Sequence, residues 1–502
     1  MKEFVILCRS RKPGGARRAG TVKVAGVEVS HTEEVLIGGR WRPAGGEPYA
    51  VVSPATGTSI GEVRQPSEVD AMSALEAADA TREQWCRTTI SDRVAICGRW
   101  LELIDRRAAE LNIVWAVEAG MPLRHGRALH RFATVAAWRS ALSGAEEILA
   151  GQRRQSQLGQ VLLRRQPVGV VVAILPYNGP VVTIASKVVP ALLAGCPVVI
   201  KAAPESHLTM AIVSDCALRA GFPAGVVSVL CGSVAVGRTL TRDSRVDMVS
   251  LTGGHTAAQD VLAATHSRYA RTQLELGGKS PAIILDDAPI EGTLRALIPA
   301  ATSGTGQVCA SLSRILVSER RHDEVVEHLK MGWERLTVGD PLDPSTHLGP
   351  LINAAALRRT EGFVSRAKAA GARLVTGGGR PDGPGWYHEP TLFTDVADDA
   401  DLVRNEVFGP VSAVQVYTDV DHAIRLANAT DFGLSGAVFT ADVEAGIDIA
   451  GCIKAGSVAI NSFGPAISSP FGGVKASGWG RESGPEGILG FTELQQILLG
   501  GN

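Results

Sequence analysis

Strand-helix alternation is the feature that most restricts how this chain can fold. Val168–Leu175 is a near-continuous apolar run, followed by helical spacing over Thr183–Leu193. Pro197–Lys201 reads as a strand and His207–Ala220 as a helix, and Val226–Leu230, Met248–Leu251 and Ala282–Leu285 continue the series. Strands that are apolar throughout belong in a parallel sheet covered on both faces. The second half repeats the grammar: Ile315–Val317 precedes a helix over Asp323–Arg335. Leu374–Thr376, Ala413–Tyr417 and Gly436–Thr440 are strand candidates there, and Asp421–Asn428 and Val443–Ala450 helix candidates. The chain reads as two α/β units in series. Before them, Val35–Trp41 reads as a short hairpin, while Val69–Trp85, Ser91–Ala119 and Phe132–Ile148 have helical spacing. Gln157–Leu163 reads as a ribbon.

Size and charge narrow the function classes. The 502 residues correspond to about three structural units. A net charge of -1 gives no electrostatic reason for a nucleic acid or anionic membrane partner. Eight scattered cysteines, with no C-x-x-C pair, fit free thiols in a reducing cytoplasm. The longest apolar runs are broken by Gly or Pro and fall short of the ~20 residues of a membrane span. Residues 1–32 include the basic, breaker-rich Arg9–Arg18, and Phe4–Cys8 is too short for a signal-peptide core. A poorly ordered tail, or an upstream translation start, is expected there.

Ligands of open parallel sheets sit beyond the carboxyl ends of the strands. Three strand ends carry suitable chemistry: Lys201 followed by Glu205, Thr252-Gly253-Gly254, and Pro176-Tyr177-Asn178. Glycine at a helix start lets a pyrophosphate reach backbone amides. Each has a plainer alternative, a simple turn for Thr-Gly-Gly and a solvated side chain for Lys201. No G-x-G-x-x-G follows the first strand.

Glu275 sits among apolar residues and glycines in Leu274-Glu-Leu-Gly-Gly-Lys279. Burial there would raise its pKa and suit it to general base work. The alternative is a turn cap or a pair with Lys279. Cys309 follows the glycine-rich Gly304-Thr-Gly-Gln-Val. A helix starting near it would favour the thiolate. The alternative is a buried structural cysteine, which is the reading given to the other seven.

Asn178, Glu275-Leu-Gly-Gly-Lys, Gly306-Gln-Val-Cys309, Glu406-Val-Phe-Gly-Pro410 and Pro470–Glu482 occur in the order seen in the aldehyde dehydrogenase superfamily. The resemblance covers about residues 35–500 and implies NAD(P)-dependent oxidation of an aldehyde to a carboxylic acid. By that similarity Cys309 is the nucleophile that forms a thiohemiacetal and then a thioester. Asn178 stabilises the oxyanion, a role worth roughly 2.7–4 kcal/mol in other enzymes, and Glu275 activates the hydrolytic water. Lys187 and Glu482 match a proton-relaying pair. Lys201 and Glu406 match ribose contacts, and Pro176, Glu205, Gly253, Gly254, Leu276 and Phe408 complete the expected cofactor site. Tyr177, Phe463, Ile467 and Phe471 are the expected substrate pocket, and no metal is expected.

The implied fold is a dinucleotide-binding parallel-sheet domain (33–148 and 167–276), an α/β catalytic domain (277–480), and a small β oligomerisation element (149–166 and 481–502). A homodimer or homotetramer follows from that element. The chain departs from the family at Pro204, where a ribose-binding Glu is common, at Gly254 and Ala258, and at Tyr177. These departures keep NAD favoured and NADP open. Mostly apolar pocket candidates favour an aliphatic or aromatic aldehyde. Two rival activities stand beside this one. A coenzyme A-acylating dehydrogenase is opposed by Glu275. A cysteine ester hydrolase needs a histidine partner for Cys309, and no motif supplies one.

Overall fold

The computed structural model describes residues 20–464 and 466–500. Five parallel strands form the centre of the first sheet: β1 (Val171–Leu175), β2 (Val198–Ala202), β3 (Val227–Cys231), β4 (Met248–Thr252) and β5 (Arg271–Glu275). Their order is β5-β4-β1-β2-β3. Gly478–Trp479 pairs antiparallel with β5 at one edge. The hairpin Glu34–Ile37/Arg40–Pro43 closes the other through β3.

Alternation along each strand explains why the runs are apolar on both faces. In β1, Val171, Ala173 and Leu175 enter one core cluster, while Val172 points into the other. In β2, Val198, Ile200 and Ala202 face the first cluster and Val199 the second. Each fully buried Val, Leu or Ile contributes about 1.5–3 kcal/mol of transfer free energy. The helix Glu68–Arg87 starts with a capping box between Ser67 and Asp70 and buries Trp85. Helix α1 (His207–Ala220) lies in the first cluster.

Helix α2 (His255–Thr265) follows β4 and helix α3 (Ile290–Thr302) leads into the second sheet's centre. That sheet contains β6 (Pro281–Ile284), β7 (Arg314–Ser318), β8 (Arg373–Thr376), β9 (Thr391–Thr394), β10 (Val411–Tyr417), β11 (Ser435–Phe439) and β12 (Ser457–Ile460). Its order is β8-β9-β10-β7-β6-β11-β12, parallel except for β8 with β9. A third, antiparallel sheet joins Gln152–Ser156, Gly159–Pro167 and Thr492–Gly500.

Part of the expected tail is ordered. Thr21–Val24 and Val27–Ser30 form a hairpin across Ala25-Gly26, both with positive φ. Val22, Val24 and Val29 alternate inward and are buried. That period-2 pattern holds residues 20–32 against the body, which corrects the reading of a tail to residue 32. Residues 1–19 lie outside the described residues. The helical stretch Ser91–Ala119 is two helices, broken at Arg107 where ψ is 9°. Among the described residues no helix is long and apolar enough to cross a membrane.

Candidate active site

The carboxyl ends of β1, β4 and β5 converge on a cleft of about 520 Å³. Strand β1 delivers Pro176, Tyr177 and Asn178 to its wall. Strand β4 ends at Thr252, in register with Glu275 at the end of β5. Cys309 reaches the same cleft on the turn between the short helical turn Ser303–Gly306 and β7.

The glycines after Glu275 exist because two groups press on that backbone. A Cβ on Gly277 would lie 2.2 Å from Glu406 Oε2, and one on Gly278 would lie 2.4 Å from the Cys309 carbonyl oxygen. The Gly278 amide donates to Glu406 Oε1 at 3.1 Å. One close approach therefore ties the Glu275 strand end, Glu406 and Cys309 into a fixed arrangement.

Gln307 organises the turn that carries Cys309. It is fully buried, and its Oε1 accepts from the Ile352 amide at 3.0 Å and from the Tyr177 hydroxyl at 3.1 Å. Its backbone carbonyl accepts from Asn178 Nδ2 at 2.7 Å. That amide nitrogen carries two hydrogens, so one is left for an oxyanion. Nothing in the local sequence around Gln307 marks this role, because its partners are distant in the chain.

No helix starts at Cys309, which corrects the expectation of a dipole-stabilised thiolate. Burial first, then the charges of Glu406 and Glu275, push its thiol up to about 12. Glu275 is buried, and neither of its oxygens has a hydrogen-bond partner among the described residues. Burial and then the charge of Glu482 hold its carboxyl well above the ordinary range, against the opposing charges of Lys187 and Arg481. The proposed pair with Lys279 is not made. Lys187 and Glu482 form a buried ion pair. Ser186 donates to Glu482 Oε2 at 2.8 Å, and Lys187 Nζ donates to Ser250 Oγ at 3.2 Å.

The expected cofactor residues divide into two groups. Pro176, Gly253, Gly254, Leu276, Glu406 and Phe408 line the cleft. Lys201 and Glu205 do not line it, but they adjoin it through Ala203, and the charge of Glu205 is felt at Lys201. Gly254 caps the N-terminus of α2 with no side-chain cap, and a Cβ on it would meet nothing within 4 Å. The Thr252 hydroxyl beside it is buried and partnerless. Open amides at a helix start, an orphan hydroxyl and a buried carboxylate at Glu406 fit a phosphate-ribose ligand. Arg359, which no sequence motif marks, lines the cleft and donates to the carbonyls of Val407 at 2.9 Å and Phe408 at 3.3 Å.

Of the expected substrate residues, only Tyr177 lines this cleft. Phe463 packs on the catalytic core and Ile467 on the first cluster. Phe471 pairs through its backbone with Glu482. These three sit in the segment that carries Glu482, not on the cleft wall.

The aldehyde dehydrogenase family profile matches residues 41–497. This chain belongs to that family. Geranial dehydrogenase of Castellaniella defragrans is 35% identical over 473 residues, covering 93% of this chain and 98% of the relative. A betaine aldehyde dehydrogenase of Cereibacter sphaeroides is 35% identical over 465 residues, covering 91% of this chain and 95% of the relative. The crystal structure of a Mycobacterium tuberculosis aldehyde dehydrogenase complexed with NAD+ superposes with a TM-score of 0.91 at 35% identity, covering 93% of this chain and 98% of that one. Like the rest of the aldehyde dehydrogenase family, the chain is an NAD(P)-dependent oxidoreductase acting on an aldehyde.

Proposed function

We propose that Cys309 is the nucleophile of this oxidation, with Asn178 as oxyanion donor and Glu275 as base. The observation that carries the assignment is one cleft holding a thiol, an amide with a spare hydrogen and a partnerless buried carboxylate. The thiol loses its proton to Glu275, and Sγ bonds to the aldehyde carbon. The displaced electron pair settles on the oxygen, facing the Asn178 amide. When bound, the nicotinamide cofactor supplies the hydride acceptor. Once the adduct is a thioester, Glu275 takes a proton from water, which attacks the acyl carbon and releases the acid with Cys309 restored. The raised carboxyl of Glu275 makes it a better proton acceptor than an ordinary carboxylate, which suits a base that takes up and returns a proton. Lys187 and Glu482 are the route by which that proton leaves.

Glu205 beside Lys201 favours NAD, because its charge opposes a 2′-phosphate. The cleft carries Glu275 and Glu406, and its one basic residue, Arg359, is committed to backbone carbonyls. That balance favours an uncharged aliphatic or aromatic aldehyde over an anionic semialdehyde. The seven cysteines among the described residues are all free thiols, in keeping with a cytoplasmic enzyme. The hydrolase reading is weakened because no histidine hydrogen-bonds to Cys309 among the described residues.

Turnover of Cys309→Ala and Glu275→Gln tests the assignment. The first should give no reduced cofactor while still binding NAD. The second should form at most about one reduced cofactor per chain, slowly because the thiol has lost its proton acceptor, and then stall at the thioester. Full steady-state turnover in either variant would refute the roles. Acyl-coenzyme A formation at an undiminished rate would favour the acylating alternative.

A further inference from the structure

A separate cavity of about 490 Å³ lies between α3, the short helix Leu123–Gly126 and the segment from Leu336 to His347. It shares no lining residue with the cofactor cleft. Its charged lining is all of one sign, Arg124 and Arg295, joined by the rings of His125 and His347, with no carboxylate among the lining residues. Among the described residues, neither guanidinium has an ion-pair or hydrogen-bond partner.

The two histidines face the same space with donors to spare. His125 Nε2 is buried without a partner. Burial alone holds that ring at about 4, so it is neutral at physiological pH. His347 Nδ1 accepts from the Thr337 amide at 3.2 Å, which leaves the proton of the neutral ring on Nε2. Burial, and then the Arg124 guanidinium, hold His347 below its ordinary value. Arg124 and His347 therefore converge on one region. Leu294, Ile298 and Leu336 supply an apolar wall.

The cavity backs onto the turn that leads to Cys309. Gly304, Thr305 and Gly306 have φ of 58°, 59° and 69°, three left-handed residues in succession. Thr305 is not glycine and stores strain in that region. A Cβ on Gly304 would lie 3.2 Å from His125 Nε2. The His125 ring thus sits close beside a strained turn that begins five residues before Cys309.

We propose that this cavity binds a small organic anion with an apolar body, of the class of a medium-chain carboxylate, and that occupancy changes the reactivity of Cys309. Arginine forks match a carboxylate with paired hydrogen bonds. Arg124 and Arg295 take the charged end, the Leu294, Ile298 and Leu336 wall takes the chain, and the His125 ring carries the effect to the turn. The class includes the acids that an aldehyde oxidation releases. The effect on rate rests on Cys309 being the nucleophile, whereas the binding does not.

Octanoate is the probe, titrated by calorimetry into full-length wild-type protein, Arg295→Ala and the Arg124→Ala/Arg295→Ala double variant. One site per chain is expected, weakened at least tenfold in each variant. Inorganic phosphate, which lacks a chain, should bind more weakly than octanoate to the wild type. In steady-state assays octanoate should change kcat in the wild type and leave it unchanged in the double variant. Both arginines are exposed, so the folded state should survive, as a thermal melt would verify. Equal affinity in all three proteins would overturn the site. So would an effect confined to KM that persists in the double variant, because that assigns octanoate to the substrate cavity. Failure of the nucleophile assignment has a different signature, namely turnover in Cys309→Ala with octanoate affinity unchanged.

Discussion

At the scale of single residues, this site depends on groups kept in costly protonation states. A normal thiol has a pKa of about 8.5, whereas Cys309 is pushed up to about 12 by burial, Glu406 and Glu275. Only a small thiolate fraction exists at neutral pH without cofactor or substrate. Alkylation by iodoacetamide reports that fraction directly. The rate at Cys309 should therefore rise about tenfold per pH unit from 7 to 10 with no plateau. A plateau below pH 9 would mean an activated thiolate in the free enzyme. That Cys309, Asn178 and Glu275 would meet in one cleft was legible because each sits in a motif. Gln307 and Arg359 were not. Their side chains hold a backbone amide and backbone carbonyls that lie 45 to 49 positions away, and no local pattern encodes such partners.

At the scale of elements, the strands were the most legible part. Their side chains are apolar on both faces, as in β2, and that survives in sequence as an unbroken run. The hairpin over residues 21–30 carried an equally clear alternation, but a basic, breaker-rich flank masked it. The π-helical stretches Arg127–Ala133 and Ile184–Val188 left no trace, because shifting the backbone ladder by one residue barely alters side-chain spacing. Helix α1 shows how one buried charge serves an element. Glu118 accepts from the amides of Leu208 and Thr209, both at 2.8 Å, and so caps the start of α1 from another helix. Burial raises its carboxyl to about 7 against those hydrogen bonds. The folded chain thus keeps a proton that the unfolded chain loses near pH ~4.3. Stability from this group is present in acid and is lost as pH rises through about 7. Glu118→Gln removes the titration at the cost of a pH-independent offset, since its amide offers one acceptor for two donors. Between pH 5 and 8 the wild type should lose on the order of 3 kcal/mol relative to the variant. Urea unfolding of both proteins at each pH measures this, and a constant difference would show that Glu118 does not titrate there.

At the scale of the whole molecule, the chain leaves one sheet unfinished. Gln152–Ser156 is exposed along its length, and the antiparallel sheet it shares with Gly159–Pro167 and Thr492–Gly500 has two edges with no partner strand among the described residues. Leu494 and Leu498 share one face of the last strand and are 57% and 45% exposed, and Leu158 at the hairpin tip is 75% exposed. Unpaired edges and clustered exposed leucines on one small sheet are a liability unless another chain covers them. The sheet is anchored at its inner end, where the Val168 amide donates to the Phe491 carbonyl at 3.0 Å and Phe491 is fully buried. We propose that a second copy of the chain, which carries the same edge, covers this sheet. Light scattering at micromolar concentration should give a dimer or a multiple of it. The double substitution Leu494→Glu/Leu498→Glu places charge on that face without touching the cofactor cleft, so it should lower the assembled mass while NAD binding persists. A wild-type protein that scatters as a monomer would overturn this pairing. An unchanged mass in the double variant would move the interface to another face.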